Sequence, residues 1–119
     1  MSFINIRGAI TAENTREDIL AKTETMLKAI IDENNIKTED ILSVLFTATK
    51  DLDKVYPAVA ARGLGITRAA LMCMQEMYVE GSLTKCIRVM VTVKSDKAQA
   101  EANHVYLGEA EKLRPDLKK

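Results

Sequence analysis

The stretch MCMQEMYVEGSLTKCIRVMVTV, residues 72–93, decides how this chain is read. It divides into two apolar strands joined by a Gly81-Ser82 turn. Two charges break the apolar pattern. Glu76 ends the first strand and Arg88 lies inside the second. A side-chain period of two puts Ile87, Val89, Val91 and Val93 on one face, and Arg88, Met90 and Thr92 on the other. The same parity sends Leu71, Cys73 and Gln75 one way and Met72, Met74 and Glu76 the other. From a regular strand, Cys73 and Glu76 cannot both point side chains into one site. Either a bulge intervenes or Cys73 contributes through its backbone. Arg88 has two readings. It is a solvent-facing strand residue, or its permanently charged five-donor fork enters a pocket at a subunit boundary and binds an anion.

Upstream, Phe3, Ile4, Ile6, Ala9 and Ile10 suggest a first strand, interrupted at Arg7-Gly8. A glycine there lets backbone approach a ligand closely, and Arg7 shares the ambiguity of Arg88. Thr15 followed three residues later by Asp18 is a helix start of the capping-box kind. Ile19, Leu20, Thr23, Met26, Leu27, Ile30 and Ile31 then recur at helical spacing, which predicts a helix over Arg16–Glu33. Residues 41–47 (ILSVLFT) suit a buried strand. Pro57 opens a short helix ending at Gly63, with Arg62 in its last turn, where a cation favours the helix dipole. Strands are expected over residues 69–75 and 87–93, with a short one at 104–107 that contains Tyr106. Residues 96–103 are helix or loop. The polar tail, with Arg114 before Pro115, is expected to lie over something.

The element order predicts one α+β domain over residues 1–119, a mixed β-sheet with two helices on one face. The other face would be bare. Its strands are too apolar for water, so a homo-oligomer is expected.

The 119 residues are 47% hydrophobic, too many for a disordered chain. Lys+Arg and Asp+Glu number 17 each. Without a basic surplus, neither a nucleic-acid partner nor a membrane surface is expected. No apolar run approaches the roughly 20 residues of a membrane span. The start MSFINIRGAI has no secretory pattern, so a cytoplasmic protein is expected. Cys73 and Cys86 are the two cysteines and His104 the single histidine. They supply no disulfide framework, no metal site and no chymotrypsin-like triad. Cys73 reads as a small buried hydrophobe rather than a nucleophile. Tyr106 is either core with its hydroxyl at the rim or a ligand donor.

The strings IRGAIT, ATKDLDKVYPAVAAR, CMQEM, KCIRVM, HVYL and LRPDL run in order over nearly the whole chain. In these it resembles the monofunctional, trimeric, barrel-like chorismate mutases (the AroH class). The resemblance implies a homotrimer packed into a pseudo-α/β barrel, with active sites in clefts between subunits. It implies the Claisen rearrangement of chorismate to prephenate in the shikimate pathway to phenylalanine and tyrosine, with no cofactor and no metal. By match to the family pattern, Arg7 and Tyr106 hold the side-chain carboxylate and Arg88 donates to the ether oxygen. Glu76 accepts from the ring hydroxyl, and Cys73 lies against that hydroxyl. Tyr56, Ala58 and Arg62 would come from the neighbouring subunit, and Leu113 and Arg114 would belong to a tail closing over the site, mobile over residues 114–119.

Two positions depart from the family pattern. Val59 stands where a lysine is usual, and Met72 where a threonine is usual. Two rival readings share the architecture. One is a trimeric imine deaminase-like enzyme, the other a non-catalytic trimer that binds a small acid. CMQEM and KCIRVM favour the mutase over the deaminase, and the lack of any added signalling segment weighs against the acid sensor.

Overall fold

The computed structural model describes residues 2–113. Five strands and two α-helices follow in the order β1 (Phe3–Thr11), α1 (Arg16–Glu33), β2 (Ile41–Ala48), α2 (Ala58–Gly63), β3 (Ala70–Gln75), β4 (Cys86–Lys94) and β5 (Val105–Tyr106). Short 3-10 turns lie at Thr38–Asp40, Gln99–Glu101 and Gly108–Lys112. The α+β expectation stands, with a mixed five-stranded sheet.

Helix α1 begins as its sequence dictates. The Thr15 hydroxyl accepts the Asp18 amide at 3.0 Å. The Asp18 carboxylate reaches back to the Glu13 amide at 2.6 Å, rather than to the cap residue's own N–H. That bond first, and then Lys22, hold the Asp18 carboxyl below its usual range. Ile19, Thr23, Met26, Leu27 and Ile30 form the buried stripe. Thr23 satisfies its hydroxyl on the Ile19 carbonyl at 2.7 Å, so it can be buried without penalty. The Asn34 side chain ties the helix end to Asn103 in both directions.

The sheet order is β3-β2-β4-β1-β5. β4 is antiparallel to both β1 and β2, while β3 runs parallel to β2 and β5 parallel to β1. Residues 72–93 are therefore not a hairpin, which corrects the reading from their turn signal. The α2 crossover returns the chain parallel to β2 on its free edge. Residues 76–85 then pass across β2 to set β4 in the centre of the sheet. Gly81-Ser82 makes a turn within that crossing, where the Ser82 amide bonds the Val79 carbonyl at 2.9 Å.

A second correction concerns β1, which runs unbroken through Arg7 and Gly8. A Cβ on Gly8 would lie 2.9 Å from Ile30 Cδ1 and 3.2 Å from both Val89 Cγ1 and the Val105 carbonyl. The glycine admits helix α1 close to the sheet. It does not open the backbone to a ligand.

The inward face carries Ile4, Ile6, Ile10, Val44, Phe46, Ile87, Val89, Val91 and Val93 against the α1 stripe. Each such side chain contributes about 1.5–3 kcal/mol by leaving water. A bulge in β2 between Ile41 and Ser43 shifts the register against β4. It lets Ile41 and Val44, three residues apart, both face inward.

The outward face is bare over most of its width. Phe3, Met72, Met74 and Met90 lie exposed on it. At one end the Gly108–Lys112 turn folds down and buries Ala9, Cys86 and Ala110, beside Leu83, Tyr106 and Leu113. Among the described residues, no helix is long and apolar enough to cross a membrane.

Candidate active site

The polar side chains of the outward face come from four strands and one strand end. Thr47 of β2 is paired with Arg88 of β4, which is paired with Ala9 of β1, which is paired with Tyr106 of β5. All four lie in one row across the sheet. The parity read from residues 87–93 stands: Arg88 shares the outward face with Met90 and Thr92, while the intervening valines are buried.

Arg88 and Glu76 meet at the β3 side of this row. Arg88 Nε lies 2.8 Å from Glu76 Oε2, an ion-pair distance. The N–H is not aligned on that oxygen, however, and Nε is buried without a hydrogen-bond acceptor. The ion pair is thus close but poorly directed, and its Arg88 side chain stays 39% exposed. Glu76 is held from the other side. The Thr47 hydroxyl donates a short hydrogen bond to Glu76 Oε1, and the Glu76 amide donates to the Ala48 carbonyl at 2.9 Å.

Arg7 and Tyr106 form the second polar group. Arg7 Nη2 donates to the Tyr106 hydroxyl at 3.0 Å, and Nε to the same oxygen at 3.3 Å. The Arg7 amide donates to His104 Nδ1 at 2.9 Å. The strand-edge histidine therefore completes the backbone hydrogen bonding of β1 beside the site.

The remaining expected residues lie apart from these two groups. The Cys73 side chain is on the inward side, packed against the core, as parity demanded. It lines a cleft of about 570 Å³ with Tyr56, Val59, Met74 and Lys50, whose lining includes neither Arg88 nor Glu76. Ala58 is buried at the start of α2, and Arg62 is exposed in its last turn. Leu113 packs beside the Ala9–Cys86–Ala110 cluster. Arg114 and the tail lie outside the described residues. Cys86 is buried next to the site, and its burial pushes the thiol up to about 11.

The sequence reasoning missed Thr47. Nothing in the strand ILSVLFTA set it apart, since only its pairing with Arg88 and its bond to Glu76 give it a task.

A face of this kind, with two arginines, a tyrosine and a glutamate on an apolar sheet, suits a small dianion with a hydroxyl. The family model for chorismate mutase type I matches residues 3–117. This chain belongs to the chorismate mutase type I family. It is 50% identical to the chorismate mutase AroH of Bacillus subtilis (strain 168), with 98% of this chain and 94% of the relative covered. It is 44% identical to the chorismate mutase AroH of Thermus thermophilus, over 94% and 93% of the two chains. A solved chorismate mutase from Clostridium thermocellum superposes with a TM-score of 0.88 at 50% identity, covering 90% of this chain and 96% of the other. The mutase resemblance read from CMQEM and KCIRVM is borne out, and with it the isomerase class.

Proposed function

We propose that residues 1–119 act as one chorismate mutase domain, converting chorismate to prephenate in a homotrimer with active sites between subunits. The observation that carries this reading is the pair of opposite charges, Arg88 and Glu76, held together on a largely bare sheet face beside exposed methionines.

The reaction is a pericyclic shift in which one C–O bond breaks as one C–C bond forms. The protein forms no covalent bond to the substrate. Arg7 and Tyr106 bind the side-chain carboxylate and hold the compact conformer. As the C–O bond lengthens, negative charge gathers on the ether oxygen, and Arg88 donates to it. Positive character remains on the ring, where Glu76 accepts from the hydroxyl. Cys73 meets the same hydroxyl through its backbone, since its side chain faces inward. Tyr56, Ala58 and Arg62 come from the neighbouring subunit, and Leu113 and Arg114 close over the site.

The magnitudes fit. A modest enzymatic acceleration needs about 8 kcal/mol. One preorganised donor to a developing oxyanion supplies about 3–4 kcal/mol. Positioning can contribute about 7–11 kcal/mol, enough for the remainder.

The exposed Phe3, Met72, Met74 and Met90 support the trimer, because a patch of this kind is stable in water only when another surface covers it. The cytoplasm is the compartment this reading gives the protein.

The decisive assay follows the loss of chorismate absorbance by purified protein, with prephenate identified as product and the trimer mass measured by light scattering. Saturable conversion that is lost in Arg88→Ala supports the proposal. Binding of chorismate without conversion would leave the acid-binding trimer as the better reading, and turnover of an imine instead would favour the deaminase.

A further inference from the structure

We infer that Thr47 is a positioning residue for the rearrangement, acting through Glu76. The inference rests on the role proposed above for Glu76 and adds the group that aims it.

Glu76 follows the last residue of β3, so its side chain extends past the end of the strand. A glutamate side chain there has three rotatable bonds and would sample several rotamers. Its ion pair with Arg88 is close but does not direct it, because the Arg88 Nε–H is not aligned on the carboxylate. Direction comes from β2. The Ala48 carbonyl receives the Glu76 amide, and the Thr47 hydroxyl donates to Oε1. Two successive residues of one strand thus clamp the backbone and the side chain of Glu76. Thr47 engages Oε1, while Oε2 is the oxygen at Arg88. Each carboxylate oxygen retains a second lone pair for a substrate hydroxyl.

Thr47 suits this task. It is β-branched, so its χ1 is restricted on a strand. It is also the direct cross-strand partner of Arg88. One residue therefore sets the spacing of both charges, holding the acid through its side chain and facing the base through the ladder.

The test compares Thr47→Val, which keeps the shape and removes the hydroxyl, with Thr47→Ser, which keeps the hydroxyl. Each is made in the natural chain and in a Glu76→Gln background, with trimer mass and melting temperature measured in parallel. We expect Thr47→Val to lower kcat about tenfold, with KM changed by less than about twofold. Thr47→Ser should stay within about threefold of the natural chain. In the Glu76→Gln background, Thr47→Val should change kcat by less than about twofold, because its effect passes through the carboxylate. A natural kcat in Thr47→Val would overturn the inference. So would a tenfold loss that persists after Glu76→Gln. If Glu76→Gln alone leaves kcat unchanged, the proposed role of Glu76 fails as well, which distinguishes that failure from one at Thr47 alone. Should the valine variant not assemble, Thr47→Ala against Thr47→Ser gives the same comparison.

Discussion

Arg88 and Tyr106 stand on opposite sides of Ala9, one strand away in each direction. At the usual strand spacing their Cα atoms are about 10 Å apart. Ala9 forms the floor between them and is fully buried against Ala110 and Cys86. The small side chain of Ala9 lets the Gly108–Lys112 turn pack down on the sheet between the Arg7–Tyr106 pair and Arg88.

Enlarging Ala9 should therefore press on that turn and on Tyr106 beside it. Ala9→Val adds two methyl groups where the neighbours are already packed. It should cost about 1–3 kcal/mol of stability by overpacking and raise KM several-fold. Thermal melts and steady-state chorismate turnover would check both effects. An unchanged KM would mean that the turn can shift without disturbing the Arg7–Tyr106 pair.

Arg88→Ala should lower kcat by about 100- to 1000-fold while leaving the fold intact, as removal of one donor to a developing oxyanion does. Arg88 is partly exposed, so its loss uncovers no large core surface. Arg88→Lys should recover little. An ammonium on a flexible stem cannot reproduce the fixed guanidinium fork. Turnover of either variant near that of the natural chain would remove Arg88 from the chemistry.

Gly8→Ala should destabilise the protein by about 1–3 kcal/mol, since the new methyl group would meet Ile30 and Val89 across a gap too short for it. A fall in melting temperature is the expected signature. A neutral result would mean that α1 can move off the sheet at no cost.

The two thiols should differ in reactivity. Burial raises the Cys86 thiol from 9.0 to about 11. At pH 8 that leaves it about 100-fold less thiolate than an ordinary cysteine. In a Cys73→Ser variant, a thiol reagent at pH 8 should leave the folded protein unmodified until denaturant is added. Rapid labelling of Cys86 would show that the Gly108–Lys112 turn opens readily.

Local pattern made most of this fold legible. The α1 stripe has an unbroken helical period and a cap at Thr15, so its limits could be read directly. The parity of residues 87–93 separated Arg88 from the buried valines for the same reason. The pairing of β3 was not legible, because a Gly-Ser pair marks a turn without saying which strands it joins. That choice depends on the free edge of β2, a non-local property. The Arg88–Glu76 contact could be suspected from two charges in apolar strands. Thr47 could not, because threonine is an ordinary strand residue and only its cross-strand partner gives it a task.

The bulge between Ile41 and Ser43 sets the phase of β2. Without it, a strand of this sequence could bury Ile41 or turn Thr47 toward Glu76, but not both. The strand should therefore tolerate many substitutions at Leu42 yet no deletion there. Across natural variants of this protein, chain length in that segment should drift less than composition.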